Sequence, residues 1–303
     1  MDKILVIKLS AFGDFIQALG PMKAIKNHHP NTSITLLTTK PFKGLAEKSG
    51  YFDDIILDER PKWYQFGKLR ALKKIFNAGK FGRVYDLQNN DRTGLYFKLF
   101  TPKPEWIGAA KGASHRNTSP ERTAGLAFNG HVQTLKLAGV TPVTVDTMDW
   151  IEGNSADFGA KEPYALIVSG CAPQHPYKRW PAEHYAELCH YLIEQGVQPV
   201  LIGTEQERDV TQQIAQACPD ALDLTGKTSL FDIVVLAKSA ELAVGNDTGP
   251  MHMIGPTGCK TLVLFSGNSN PIHHAPLGVD VRTMQKEPIA DITPEEVIQK
   301  LNS

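Results

Sequence analysis

A carboxylate, a hydroxyl, a glycine and a histidine occur close together in residues 245–252 (GNDTGPMH). They follow an apolar run that predicts a buried strand, and they lead into a short predicted helix. Asp247, Thr248 and Gly249 would stand at the start of that helix, with His252 one turn later on the same side. Because the free N–H groups of a helix start bind phosphate, the pattern favours a nucleotide site. An ordinary capped helix between two strands is the alternative.

A second candidate follows the first predicted strand. There a turn with a single glycine, Gly13, delivers Asp14 to the start of a helix. One glycine does not make the GxGxxG dinucleotide fingerprint. Asp14 can complement the helix dipole, or it can act as a general base that takes a proton from an attacking hydroxyl. Its position at a strand end favours the general base.

Small residues and cations follow the first strand of the second half of the chain. Ser169 and Gly170 begin a loop whose N–H groups can approach a ligand, and Lys178 and Arg179 stand just before a predicted helix. A diphosphate requires this combination, and Lys178 is the candidate for neutralising a departing pyrophosphate. A basic surface loop is the alternative interpretation.

Two glutamates, Glu205 and Glu207, follow a third strand end at Gly203. A carboxylate at this place can bond a ribose hydroxyl. Glutamate is also common at helix starts, where it complements the dipole. The residues alone leave open which of the two would bond the ribose.

Residues 60–83 carry eight cations and no carboxylate, and apolar residues are interleaved with them at helical spacing. This predicts a basic amphipathic helix that includes Lys73 and Lys74. Such a helix suits an anionic membrane surface or a phosphorylated acceptor. A solvated helix packed by its apolar side is the alternative.

Length, composition and charge limit the class of protein. A chain of 303 residues is comfortable for two domains. Hydrophobic and charged fractions of 42% and 21% are those of a soluble globular protein. Residues 1–160 carry 22 Lys and Arg against 15 Asp and Glu, whereas residues 161–303 carry 10 against 17. The net zero charge therefore divides into +7 and −7. We expect a cytoplasmic protein without a leader, because an apolar strand begins almost at Met1. The four cysteines are widely spaced, which predicts free thiols.

Buried-strand runs alternate with helical patterns along the whole chain, which predicts two parallel-sheet α/β units. The predicted strands of the first unit are Lys3–Leu9, Ser33–Thr38, Asp54–Leu57, Arg83–Leu87 and Glu105–Ile107. Those of the second unit are Tyr164–Ser169, Gln198–Ile202, Ala221–Leu224, Glu241–Val244 and Thr261–Phe265. Residues 146–163 are polar and predict a linker, so the domains are expected at 1–152 and 153–303. Ligands of such sheets bind at the carboxyl ends of the strands, so two units set face to face would share one cleft.

Taken together, Gly13-Asp14, Lys178-x-Trp180-Pro181 and Asp247-Thr248-Gly249-x-x-His252 resemble glycosyltransferase family 9, the bacterial lipopolysaccharide heptosyltransferases. The resemblance covers nearly the full length. It implies the GT-B fold, in which two Rossmann-like parallel-sheet domains face each other across a cleft. The N-terminal domain would bind the acceptor and the C-terminal domain the nucleotide sugar.

The family resemblance also implies roles for individual residues. Asp14 would be the catalytic base and Lys178 would meet the donor diphosphate. The rest of the nucleotide-sugar site would be lined by Ser169, Gly170, Glu205, Asp247, Thr248, Gly249 and His252. Glu205 would lie near the donor ribose, with Glu207 as its competitor for that role. We place the acceptor near Gly13, Lys73 and Lys74.

The resemblance further implies an inverting transfer of a sugar, with heptose from ADP-heptose as the expected donor group. The expected acceptor is an anionic lipid-linked saccharide on the inner face of the inner membrane. No metal and no other cofactor is expected, in agreement with a sequence that contains no Asp-x-Asp pair. Nucleic acid is not an expected partner. Two alternatives remain: a nucleotide-sugar epimerase of the same architecture, and a nucleotide-sugar-binding protein without turnover.

Overall fold

The computed structural model describes residues 3–172 and 174–303. Contacts between Cα atoms divide the chain into two compact units, the first ending at Asp146 and the second beginning at Thr147. Each unit contains one six-stranded parallel sheet with helices around it. The predicted α/β class with two parallel sheets is therefore confirmed.

The sheet of the first unit is built from short apolar runs such as KILVI, four of whose five residues are buried. A parallel sheet is covered on both faces, so its strands are apolar throughout rather than alternating. The strands are β1 (Lys3–Ile7), β2 (Ile34–Thr38), β3 (Asp54–Leu57), β4 (Phe81–Asp86), β5 (Glu105–Gly108) and β6 (His115–Arg116). Their spatial order is β3-β2-β1-β4-β5-β6.

Helices connect the strands of the first unit. They are α1 (Phe12–His28), α2 (Lys43–Ser49), α3 (Phe66–Ala78), α4 (Asp91–Phe97) and α5 (Ala127–Lys136). The core packs Leu72 and Phe76 of α3 against a cluster that includes Ile7 of β1 and Trp106 of β5. In register, Ile7 at the end of β1 lies beside Asp86 at the end of β4. Residues that follow these two strand ends are therefore neighbours.

The second unit repeats the architecture. Its strands are β7 (Tyr164–Val168), β8 (Gln198–Leu201), β9 (Leu222–Asp223), β10 (Leu242–Asn246), β11 (Lys260–Ser266) and β12 (Val281–Lys286). Its helices are α6 (Ala182–Glu194), α7 (Arg208–Ala217), α8 (Leu230–Ser239), α9 (Gly249–Ile254), α10 (Pro271–His274) and α11 (Pro294–Asn302). The strand order is β12-β11-β10-β7-β8-β9. Both sheets thus have the order 3-2-1-4-5-6 of a Rossmann fold.

The segment after Asp146 packs on the second unit. Met148 and Ile151 are buried, and the Lys238 ammonium of α8 donates hydrogen bonds to their carbonyls at 3.1 and 2.7 Å. These two hydrogen bonds from the Lys238 ammonium to backbone carbonyls hold the segment against α8. The residues predicted as a linker therefore belong largely to the second unit.

Within the described residues, no helix is both long enough and apolar enough to cross a membrane.

Candidate functional site

The carboxylate of Asp14 lies where β1 gives way to α1. The helix begins at Phe12, so Asp14 is in its first turn, and its Oδ2 accepts a hydrogen bond from the Ala11 N–H at 3.4 Å. The side chain is partly exposed. Gly13 precedes it within the same turn. A carboxylate that keeps solvent access at a strand end can meet a ligand hydroxyl.

A buried lysine, Lys8, stands beneath this loop, and no sequence motif pointed to it. It is 2% exposed, and its ammonium donates to the Leu87 carbonyl at 3.3 Å. Burial lowers the pKa of Lys8 to about 8, against the opposing charges of Asp14 and Asp86. The ammonium is therefore charged at neutral pH, and its charge acts to lower the pKa of Asp86.

Asp86 ends β4 and is 1% exposed. Its Oδ1 accepts hydrogen bonds from the N–H groups of Gln88 and Asn89 at 3.0 and 2.8 Å. Its Oδ2 is shielded from solvent. The neighbouring Thr93 side chain acts to lower the pKa of this carboxyl, and the Thr93 hydroxyl also lies 3.0 Å from the Asn90 carbonyl. Burial raises the pKa of Asp86 to about 6.

Asp86 also lines a cavity of about 520 Å³ in the first unit. Three cations, Lys98, Lys111 and Arg122, line the same cavity together with the amides of Asn89 and Asn90. Amides and cations that line one cavity are together suited to a polyhydroxylated, anionic ligand.

In the second unit, the structure brings together Lys178 and Asp247, which are far apart in sequence. The Lys178 ammonium lies 2.6 Å from Asp247 Oδ2, with the two side chains 20% and 8% exposed. The Ser269 hydroxyl donates to the same oxygen at 2.5 Å. Asp247 therefore fixes the position of the cation, and Ser269 fixes Asp247.

Asn246, the last residue of β10, joins the two loops of this site. Its Nδ2 donates to the Ser169 carbonyl at 2.8 Å, and its Oδ1 accepts from the Trp180 N–H at 3.0 Å. The Tyr185 hydroxyl donates to the same oxygen at 3.0 Å. A buried amide satisfied on both sides pins these loops in place. The sequence placed Asn246 in the motif without a role, and Ser269 carried no signal.

The predicted short helix after residue 248 is confirmed as α9, with Thr248 at its N-cap. The Thr248 side chain makes no capping hydrogen bond, and the buried Ser169 hydroxyl has no hydrogen-bond partner among the described residues. Gly249 begins α9 and His252 lies partly buried within it. Two hydroxyls thus stand at the same strand ends as the Lys178–Asp247 pair.

The two candidate ribose ligands differ in their surroundings. Glu205 is 66% exposed and holds Arg208 through two bonds of 2.6 Å. Glu207 is held by its own turn instead, because its Oε2 accepts a hydrogen bond from the Thr204 N–H at 2.7 Å. A Cβ on Gly170 would collide with Glu207 Oε1, so the Glu207 carboxylate lies directly against the Gly170 loop.

The remaining acceptor candidates, Lys73 and Lys74, are exposed on α3. Among residues 3–172 and 174–303, no group of three or more His, Cys, Asp or Glu side chains is placed to hold a metal ion. All four cysteines are unpaired and buried.

Known proteins resemble this chain in sequence and in fold. A family model described as glycosyltransferase family 9 (heptosyltransferase) matches residues 121–300. The lipooligosaccharide heptosyltransferase 2 of Haemophilus ducreyi is 30% identical over 99% of this chain and 98% of the relative. The lipopolysaccharide heptosyltransferase 2 of Escherichia coli is 24% identical over the same shares. The solved structure of the Escherichia coli ADP-heptose LPS heptosyltransferase II matches with a TM-score of 0.74 at 22% identity, covering 99% of this chain and 97% of that one.

Two Rossmann-like units and this likeness in fold show the GT-B type of fold. The family model covers more than half of the chain, and one full-length relative reaches 30% identity. The chain belongs to glycosyltransferase family 9, the heptosyltransferase family, which confirms the resemblance noted in the sequence.

Proposed function

We propose that this enzyme moves a heptosyl residue from ADP-heptose to a hydroxyl of a lipopolysaccharide core, with inversion and without a metal ion. Family membership and the names of the relatives support the sugar and the acceptor class. The similar solved structure is that of an ADP-heptose heptosyltransferase, which supports ADP-heptose as the donor.

The observation that carries the proposal is the Lys178–Asp247 pair. Its 2.6 Å contact holds an ammonium beside the Ser169–Gly170 loop and the start of α9. A leaving diphosphate gains negative charge as the glycosidic bond breaks, and a cation already in position stabilises that charge without reorganisation. A protein cation in this role replaces the divalent ion that an Asp-x-Asp pair would hold.

On the acceptor side, Asp14 takes the proton of the attacking hydroxyl. The hydroxyl oxygen then forms a bond to the anomeric carbon from the face opposite the diphosphate, and ADP departs with the bonding electrons. A single displacement of this kind inverts the anomeric centre. Lys8, buried beneath the loop, would place a positive charge near the proton transfer at Asp14.

We place the acceptor saccharide in the cavity of the first unit. The side-chain amides of Asn89 and Asn90 would bond sugar hydroxyls, and Lys98, Lys111 and Arg122 would meet acidic groups of the core. This placement extends the acceptor region beyond the predicted Gly13, because Asp14 and Asp86 share Lys8 as a neighbour.

Melting temperatures measured with a panel of ADP-, GDP-, UDP- and dTDP-sugars test the donor. A ligand at about 100 times its Kd stabilises the native state by about 2.7 kcal/mol. We expect ADP-heptose to give the largest rise, and Lys178→Ala to reduce it. Lys161→Ala, which changes an exposed lysine of the same unit, is the matched control. A larger rise with a UDP- or dTDP-sugar would contradict the assignment.

Analysis of the products formed from the same donors, with and without core acceptors, separates the two alternatives. An epimerase changes the sugar of its nucleotide donor without a second substrate. A binding protein without turnover shows the rise in melting temperature but releases no ADP when core acceptors are added.

A further inference from the structure

Three large aromatic side chains stand in solvent at and just before the start of α3. Trp63 is 74% exposed, Tyr64 51% and Phe66 72%. The rings of Trp63 and Tyr64 meet edge to face, with 5.7 Å between their centroids. Single exposed apolar residues are common on protein surfaces. Three such rings within four positions form a patch, which marks an interaction surface.

Other residues attach α3 to the first unit. Leu72 and Phe76 are 6% and 1% exposed and belong to the core. The Phe76 ring stacks on Phe100 with 4.6 Å between centroids. The helix therefore keeps its place through its buried side, and the three exposed rings remain available to a partner.

The aromatic patch is surrounded by positive charge. Residues 60–83 contain no carboxylate, and the Lys62 ammonium stands 5.8 Å from the Tyr64 ring centroid. Lys68 is paired with Glu59 and Arg83 with Glu105. The remaining cations of α3 and its neighbourhood are not paired in this way. In the part of the chain that the structure describes, no ion pair joins a carboxylate to Arg70 or to the other lysines of the segment, which are Lys62, Lys73, Lys74 and Lys80. This aromatic–basic surface (residues 62–75) therefore presents uncompensated charge to an anionic partner.

The combination fits a lipid surface better than other anionic partners. Tryptophan and tyrosine are enriched at the level of lipid headgroups because their rings are apolar and their N–H and O–H groups stay hydrated. Neighbouring lysines are attracted by anionic lipids. A partner protein would need an acidic surface with an aromatic-binding groove, and a nucleic-acid motif is missing from the sequence.

The surface begins beside the candidate base. Arg60 opens the basic segment, and its guanidinium donates to the Leu9 carbonyl at 3.0 Å and to the Ser10 hydroxyl. These residues form the loop that leads to Asp14. A saccharide anchored in a bilayer under this surface would thus have its sugar close to Asp14, within the same unit.

We propose that the aromatic–basic surface docks the enzyme on a bilayer rich in anionic phospholipid, with Trp63, Tyr64 and Phe66 inserted among the headgroups. The benefit for catalysis rests on the proposed transfer to a lipid-linked acceptor. The docking itself does not depend on it.

Co-sedimentation of the full chain with phosphatidylcholine vesicles, with and without phosphatidylglycerol, tests the docking. We expect binding that requires phosphatidylglycerol, falls with salt, and falls about tenfold or more in Trp63→Ser/Phe66→Ser. The control is Ile272→Ser/Val279→Ser, which removes two exposed apolar residues of the second unit, 64% and 92% exposed. This control should bind like the wild type.

Tryptophan emission locates the insertion. Trp106 and Trp180 are buried, and Trp150 is partly buried in the second unit, so Trp63, which is 74% exposed on the docking surface, is the tryptophan whose surroundings change most on docking. Wild-type emission should shift to the blue when vesicles are added, whereas Trp63→Phe should bind without that shift. Equal binding with and without the anionic lipid, or equal binding by Trp63→Ser/Phe66→Ser, would overturn the proposal.

An activity measurement keeps this proposal separate from the proposed function. Trp63→Ser/Phe66→Ser should transfer normally to a delipidated core saccharide and slowly to the same acceptor embedded in vesicles. Loss of transfer to both acceptors would contradict docking as the role of these rings. Absence of transfer by the wild type would count against the proposed function alone.

Discussion

At the scale of single residues, the proposed chemistry depends on charges held where water is scarce. Lys178 and Asp247 form one such pair, and Lys8 with Asp86 forms another group in the other unit. Lys178 and Asp247 could be singled out as candidate site residues in the sequence, because both follow predicted strands. Lys8 and Asp86 could not be singled out, because only tertiary packing shows that they are buried. In the sequence they look like strand-end charges of the ordinary exposed kind.

Lys8 gives a prediction about pH. Burial lowers its pKa from about 10.5 to about 8. Between these values the unfolded chain binds more protons than the native one, so this group makes stability rise with pH. Replacing Lys8 by Met removes the titrating group. We therefore compare the free energies of unfolding of the wild type and Lys8→Met by urea denaturation. Between about pH 8 and pH 10, the value for the wild type should rise relative to that for Lys8→Met.

Lys40→Met is the control, because it replaces an exposed lysine of the same unit. It should show no such difference. The functional counterpart is the pH profile of the transfer rate: the wild type should lose activity as Lys8 loses its charge above about pH 8, and Lys8→Met should be slow without that loss. Parallel stability curves for wild type and Lys8→Met would mean that Lys8 titrates normally.

At the scale of elements, apolar strands were predicted well. The runs at β1, β7 and β11 lie within a residue or two of the expected bounds, and the basic amphipathic helix that includes Lys73 and Lys74 is α3. The strand β12 was missed because its VRTMQK sequence is only half buried at a sheet edge. The seven-residue helices α2 and α4 were missed because so short a segment shows little periodicity.

The short helical turn Glu205–Glu207 gives a second prediction. Glu207 lies against the Gly170 loop, whereas Glu205 is engaged by Arg208 at the surface. We therefore expect Glu207→Gln to weaken ADP-heptose binding about tenfold, the effect of one lost hydrogen bond to a charged group. Glu205→Gln should change it little, since exposed ion pairs contribute about 0–1 kcal/mol. Titration calorimetry of both variants measures this, and the reverse order would return the ribose role to Glu205.

At the scale of the whole molecule, two units with the same strand order carry different chemistry. The first unit holds the candidate base, the cavity lined by Asp86 and the aromatic–basic surface, and it is the half with an excess of positive charge. The second holds the Lys178–Asp247 pair and carries an excess of negative charge. The repeat of the fold and the family could be predicted from strand-end motifs. The division after Asp146 lies at the start of the predicted linker 146–163. Which unit this polar segment packs on could not be predicted, because only the structure shows that Met148 is buried.

This division of labour is tested most directly by measuring donor binding and ADP release on the same variant, Asp14→Asn. We predict that the variant binds ADP-heptose as tightly as the wild type, while ADP release in the presence of a core acceptor falls about 10²- to 10⁴-fold. Lys178→Ala should instead lose affinity for the donor, and Asp54→Asn, an exposed aspartate of the first unit, should lose neither. Acceptor-dependent ADP release by Asp14→Asn at the wild-type rate would contradict the assignment of Asp14 as the base.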